Sequence, residues 1–508
     1  MNSQRYTGRG EPIHQRSGNK RGTISDTCPG PRVNDSGPLH DNRTTPSVLS
    51  ATPKRSSTFS AEKATDTSNT RGVRLAGPVQ VSRVLYPLDM LKWFLVLGVL
   101  VAVGYQICVS VVHPVPSELE ERDKVAVLDA IGHIGNNVLL TAARFGVDLA
   151  AYRPVKLLVD SVYSLILNGV SPEPYTDVEI RDTTIAEVPV RVFIPRKQKK
   201  AMFPAMIYLH GGGWPWLSVD VYSRFLSHLC NATNLMIIAV RYRQPPSHIY
   251  PVSLNDCRNV TWSTLAGKSG LPIHPRYVII GGDEAGGNMA AALALEFRSK
   301  IYMQILLNPK LQMFDFLTPS YQDHKNILTG VTSSARSAVD WLRYTGSSVS
   351  WYPALLNNAH RFPSSEILQH QSYLDADTFL PSYLELTKSK TVTTKDYDST
   401  IGKELKDLIT SESLCPALAS NTKGVPNAYI VTSQFDVHRD EAVMYITRLH
   451  KDSGSKVKLK HYKQAFQGFF PFAGNKSWFR FNVSDQALQE LVEFISFQVH
   501  RVMKNPAS

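Results

Sequence analysis

Two glycine-rich runs in this 508-residue chain have the residue types and settings that acyl-transfer chemistry needs. The first is Leu209-His210-Gly211-Gly212-Gly213-Trp214, directly after a strand-like apolar run. Glycines there let backbone N–H groups close on a developing oxyanion with no Cβ in the way. The second is Gly281-Gly282-Asp283-Glu284-Ala285-Gly286-Gly287-Asn288, between the strand-like Tyr277–Ile280 and a helix-like run from Met289. Small residues allow a tight strand-to-helix turn that presents one side chain, the G-x-S-x-G nucleophile elbow. Here that side chain is a carboxylate, Glu284, where the chemistry calls for a hydroxyl. Either run alone is a weak signal; together, in this order, they are specific.

Further landmarks fall downstream: Val240-Arg241-Tyr242-Arg243 with Tyr250-Pro251, then Pro319-Ser320-Tyr321, then the stretch Gln434–Asp440, and last His461–Phe469 with Gln467-Gly468 inside it. With these motifs the chain resembles the arylacetamide deacetylase and neutral cholesterol ester hydrolase family, in the hormone-sensitive-lipase group of α/β-hydrolases. The resemblance runs from about Leu88 to the C-terminus, and residues 1–85 have no counterpart in it. It implies acyl transfer by a serine, an aspartate and a histidine, with no cofactor and no metal. Carried over residue by residue, Asp436 matches the acid, Glu284 stands at the serine and Gln467 at the histidine. The implied oxyanion donors are the backbone N–H groups of Gly211, Gly212 and Ala285.

Ordinary ester hydrolysis is therefore not expected. Carboxylate attack on an ester would give an anhydride, and an amide cannot exchange protons near neutral pH. Triad losses cost on the order of 10⁶ in turnover. His438 and His461 are expected to be structural or surface residues, and His210 to brace its loop. Two neighbouring carboxylates repel, so Glu284 is expected to be partly neutral and bonded to the Gln467 amide. The expected function is that of a catalytically inactive hydrolase-like membrane protein. It would bind a lipid or hydrophobic ester, or a protein partner. The alternative is an active carboxylesterase or lipase with a non-standard site.

The elements that must position these residues follow from hydrophobic spacing. β-type runs fall at Val188–Ile194, Ala205–Leu209, Leu235–Tyr242, Tyr277–Ile280, Tyr302–Leu307, Ala428–Ser433 and Val457–Tyr462, mostly with helix-length segments between them. That alternation predicts an α/β fold with a mainly parallel sheet and helices on both faces. Apolar residues at helical spacing from Lys124 to Asn168 predict helices that, by the resemblance, cap the pocket and face the bilayer. Residues 332–425 lack clear alternation and are expected to hold helices and an insertion, and a last helix is expected at Ser484–Met503.

Residues 93–112, WFLVLGVLVAVGYQICVSVV, carry no charge and are long enough to span a hydrocarbon core. Arg83 and Lys92 precede them and Glu118, Glu120 and Glu121 follow. The positive-inside rule then predicts a single-pass type II protein of the endoplasmic reticulum membrane, with residues 1–85 cytosolic and residues 124–508 lumenal. The N-terminal stretch is poor in apolar residues and is expected to be disordered. Met1–Lys92 holds 14 Lys+Arg against 7 Asp+Glu, so much of the chain's net +12 lies there. Sequons at Asn231, Asn259, Asn475 and Asn482 fit a glycosylated lumenal domain. No zinc-type cysteine spacing and no basic motif with interleaved aromatics is present, so nucleic acid is not an expected partner. Cys230, Cys257 and Cys415 are an odd set that admits one disulfide or three buried thiols.

Overall fold

The computed structural model describes residues 115–169, 176–197, 202–361, 364–382 and 397–504, with helical positions 92, 94, 97, 98, 101, 104 and 105. In chain order the main elements are α1 (Arg122–Arg144), α2 (Arg153–Asn168), β1 (Val178–Ile185), β2 (Val188–Pro195), β3 (Phe203–Leu209), α3 (Val219–Thr233), β4 (Met236–Val240), α4 (Val252–Leu265), β5 (Ile273–Asp283), α5 (Glu284–Phe297), β6 (Met303–Leu307), α6 (Ser334–Thr345), β7 (Asn427–Phe435), α7 (Arg439–Arg448), β8 (Val457–Phe466) and α8 (Asn482–Lys504). The eight strands form one sheet in the order β1-β2-β4-β3-β5-β6-β7-β8. The pairs β1/β2 and β2/β4 are antiparallel and the rest are parallel.

The central strands are buried on both faces, which is why they read as continuous apolar runs. Along β3, Ala205, Ile207 and Leu209 join one core, and Met206 and Tyr208 join the other. This is the strand period of two dividing one sequence between two layers. Helices α4, α5 and α7 cover the first face and α3 and α8 the second. All seven strands expected from sequence are present; β1 is an addition. Cys230, Cys257 and Cys415 are buried free thiols.

Helix α1 lies over the body through a polar seam. Asp129 Oδ1 accepts from Gly330 N at 2.8 Å, and Asn136 Nδ2 donates to Thr329 O at 2.9 Å. A Cβ on Gly132 would lie 2.2 Å from Gly330 O, so the helix and the 329–331 turn meet backbone to backbone.

The expected tail at 1–85 and most of the expected span at 93–112 lie outside the described residues. Within that span Phe94, Leu97, Val101 and Tyr105 are helical and exposed. Among the described residues, one helix is long and apolar enough to cross a membrane by length and composition, and it is α1.

The four sequons differ in access. Asn259 and Asn482 are exposed and Asn231 is half-buried. Asn475 corrects the sequence expectation: it is 2% exposed, and its Nδ2 donates to Ile166 O at 2.9 Å. That nitrogen is thus already committed to the protein interior.

Candidate active site

The elbow forms where β5 runs into α5. Glu284 there adopts φ +46°, a left-handed conformation that costs a non-glycine residue about 1–3 kcal/mol. The turn stays tight because Gly286 faces Leu209 O, where a Cβ would approach to 2.0 Å. The end of β3 is thereby pressed against the elbow, and the glycine loop follows directly. Gly212 (φ +97°) and Gly213 (φ +59°) turn their N–H groups toward the elbow.

Those N–H groups are occupied. Glu284 Oε2 accepts from Gly212 N at 2.9 Å and from Gly213 N at 2.6 Å. The presented carboxylate thus sits in the place of the oxyanion it would otherwise help to create. Gly211 does not share this role, which corrects the expectation: its N–H donates to Asp283 Oδ1 at 2.9 Å. Ala285 is fully buried in the first turn of α5, and the backbone donors found on the carboxylate are Gly212 and Gly213.

The other carboxylate oxygen meets a residue that the sequence did not single out. Lys310 Nζ lies 2.9 Å from Glu284 Oε1, and the Lys310 side chain is only 1% exposed. Its backbone N–H donates to Glu284 O at 3.1 Å. The ammonium also stands 5.2 Å from the Trp214 ring centroid and 5.9 Å from that of Trp341, within cation–π range. Burial pushes the Glu284 carboxyl upward. The charges of Lys310 and His438 and the bonds from Lys310 and Gly213 outweigh it, bringing the pKa down to about 2. Glu284 is therefore ionised at neutral pH and held by a cation. The expected neutral Glu284 bonded to Gln467 is not what forms. Gln467 lines the same cleft, but its side chain makes no hydrogen bond to Glu284 among the described residues.

Asp283, next in sequence, is buried beneath the loop. It accepts from Tyr208 Oη at 2.8 Å, Tyr222 Oη at 2.7 Å and Gly211 N. Burial raises its pKa to about 7, against the opposing pull of those donors. His210 braces the loop, with Nδ1 2.9 Å from Gly211 O and its ring stacked on Tyr242. Burial lowers its pKa to about 4, so it is neutral.

Asp436, the family's acid, lies just past β7 and is 1% exposed. Its Oδ2 accepts from Asn308 Nδ2 at 2.9 Å and its Oδ1 from His438 N at 2.8 Å. His461 is a structural residue of β8, with Nδ1 3.1 Å from Thr432 Oγ1 and Nε2 3.1 Å from Gln434 Oε1. His438, expected to be structural or on the surface, is buried, and its ring turns inward from the acid's own loop. It is 1% exposed and lines a cavity with Glu284 and Lys310.

The cleft has two arms that share Gly212, Glu284, Gln467 and the turn at Gly330. One, of about 170 Å³, is apolar and runs between Leu128 and Ile131 of α1, Ile166 and Leu167 of α2, and Phe466 and Phe472. The other, of about 120 Å³, is polar and includes Asn136, Lys310, Arg336, Ser337 and His438. An amphiphile fits this division.

Comparison with known proteins agrees with the geometry. A family model described as an alpha/beta hydrolase fold matches residues 206–363 and 351–471. Arylacetamide deacetylase of Bos taurus is 31% identical over 401 residues, covering 76% of this chain and 95% of that protein. Neutral cholesterol ester hydrolase 1 of Bos taurus is 31% identical over 59% of this chain and 75% of its own length. Among solved structures, an ester hydrolase from the metagenome of Lake Arreo superposes with a TM-score of 0.51 at 18% identity, over 76% of this chain and all of that one, which shows the fold.

Proposed function

Since this chain belongs to the α/β-hydrolase family that includes arylacetamide deacetylase, we propose that it is a member whose elbow no longer forms an acyl-enzyme and whose cleft holds a lipid or other hydrophobic ester. One observation carries the reading: the Glu284 carboxylate fills the oxyanion donors and is paired to Lys310. A substrate carbonyl would have to displace an ion-paired carboxylate to be polarised there. The apolar arm between α1 and α2 supports a hydrophobic ligand, and the polar arm supports its head group. In this reading the domain is lumenal, behind a single span at residues 93–112 in the endoplasmic reticulum membrane. A protein partner on that membrane is a further role of such a domain.

The test is hydrolysis of a short acyl ester by the detergent-solubilised chain beside its Glu284→Ser/Lys310→Met/Gln467→His variant. Lys310 must change with Glu284, because an unpaired buried cation would confound the result. The variant should exceed the wild type by about 10³ or more, the scale on which triad members matter. Wild-type turnover equal to the variant's, and lost in Glu284→Ala/Lys310→Met, would overturn the reading.

A further inference from the structure

The acid has lost the histidine that the family pattern gives it, yet a histidine stands beside it. His438 Nδ1 lies 3.4 Å from Asp436 Oδ1, and His438 Nε2 lies 2.8 Å from Ser337 Oγ. Ser337 is on the second turn of α6, 3% exposed, and lines the polar arm together with His438, Glu284 and Gln467. A hydroxyl within 2.6–3.2 Å of a base that stands beside a carboxylate, its backbone N–H bonded to that carboxylate, is a starting geometry for an activated nucleophile. We propose that Ser337 is a relocated acyl acceptor, with His438 as its general base and Asp436 as the positioning residue. The proposal goes beyond the reading of the elbow and does not depend on it.

The neighbours set the proton positions. Asp436 Oδ1 lies 3.4 Å from Nδ1 without a hydrogen bond to it, so the carboxylate acts on the ring through its charge, and in the tautomer protonated at Nδ1 the Nε2 atom accepts from Ser337. Tyr321 Oη lies 3.1 Å from Ser337 Oγ and can donate to it, which leaves the serine proton for the histidine. Asn308 Nδ2 and His438 N hold the two oxygens of Asp436 in place.

With an ester in the cleft, Ser337 Oγ bonds to the carbonyl carbon and passes its proton to His438 Nε2. Collapse breaks the bond to the alkoxy oxygen, which takes that proton and leaves as the alcohol. Water, deprotonated by His438, then cleaves acyl-Ser337 to the free acid and restores the serine. Gly212 and Gly213 are engaged by Glu284, so a donor toward the oxyanion must come from another residue of the polar arm, and in this proposal the role falls to the Gln467 amide. That side chain makes no hydrogen bond to another described residue. A centre with one such donor is slow, since removing a single oxyanion donor elsewhere costs about 10²–10³ in turnover.

A fluorophosphonate probe on the solubilised full chain tests this, because it phosphonylates activated serines and expels fluoride. Peptide mass spectrometry should place the label on Ser337. Ser337→Ala should remove it, and His438→Gln should slow it by about 10²-fold or more, the range of general-base contributions. If Ser337→Ala fails to fold, Ser337→Cys replaces it. Its alkylation by iodoacetamide should be at least about tenfold faster with His438 than with His438→Gln. Absence of label at Ser337, or a rate indifferent to His438, overturns the inference and leaves the reading of the elbow standing. That reading falls only if hydrolysis is lost on removing the Glu284–Lys310 pair.

Discussion

Removing Glu284 alone should harm the fold more than removing Glu284 and Lys310 together. Lys310 is 1% exposed, and among the described residues its ammonium has one carboxylate partner, Glu284, at 2.9 Å. Glu284→Ala strands that cation, and breaking one side of a buried pair costs about 3–5 kcal/mol. Lys310→Met is milder, because the Glu284 side chain is 15% exposed and keeps two backbone donors. A cost of about 1–3 kcal/mol is expected, the desolvation scale for a group losing one partner. The double variant loses the charges together and should fall within about 1–2 kcal/mol of the wild type, since apolar replacement of buried pairs is often neutral. The coupling in the double-mutant cycle is then about 2 kcal/mol or more, in the upper part of the range for directly interacting residues or above it. Urea unfolding of the solubilised chain, followed by tryptophan fluorescence, measures it. Trp214 and Trp341 flank Lys310 and report the site itself. Additive single variants, with coupling below about 0.5 kcal/mol, would refute the account of a carboxylate locked into the loop by a buried lysine.

Three further outcomes follow from the structure. Glu284 has a folded pKa of about 2 against an ordinary 4.5, so its contribution is present above pH 4.5 and disappears as pH falls toward 2. The loss is about 3 kcal/mol, read from acid unfolding and absent in Glu284→Ala/Lys310→Met. Asp283 works in the opposite sense. Its folded pKa of about 7 lies above the ordinary 3.8, so stability declines as pH rises from 3.8 to 7, and Asp283→Asn should flatten that slope. Peptide mapping of the chain from a glycosylating cell should find sugar at Asn259 or Asn482 and none at Asn475. No occupancy at Asn259 or Asn482 would refute a lumenal domain, and sugar at Asn475 would refute its packing on Ile166.

What could be read from the sequence was whatever depends on local period or on glycine. The central strands declare themselves because burial on both faces leaves only apolar residues, as in Phe203–Leu209. The two glycine runs mark the loop and the elbow because no other residue permits those turns. Strand β1 was not legible. As an edge strand, with charged residues such as Arg181 and Asp182 along it, it lacks an apolar signature. It turns into β2 through Ala186 and Glu187 at φ +49° and +65°, without the Asn-Gly that would announce a hairpin. Lys310 was missed because its partner comes from another strand end, and only its place after the apolar run Ile305–Leu307 hinted at burial. His438 reads from sequence as a structural or surface residue because it lies away from the loop tip that faces the elbow, whereas the turn at Asp436 folds its ring back into the cleft. The donor register, Gly212 and Gly213 and not Gly211, depends on loop dihedrals that no spacing encodes.

The seam between α1 and the 329–331 turn bears on how fast the cleft can exchange its contents. Gly132 and Gly330 meet with no side chain between them, and Asp129 and Asn136 fasten either side. Lifting α1 would break several buried hydrogen bonds at once, a collective event of the microsecond-to-millisecond kind. Ile131 and Tyr163, each 40% exposed, line the apolar arm from α1 and α2, where a change of rotamer would widen it without moving the helix. Side-chain flips of that sort take picoseconds to nanoseconds. The residence time of a bound amphiphile is then set by its own contacts with the cleft and not by the motion of a lid.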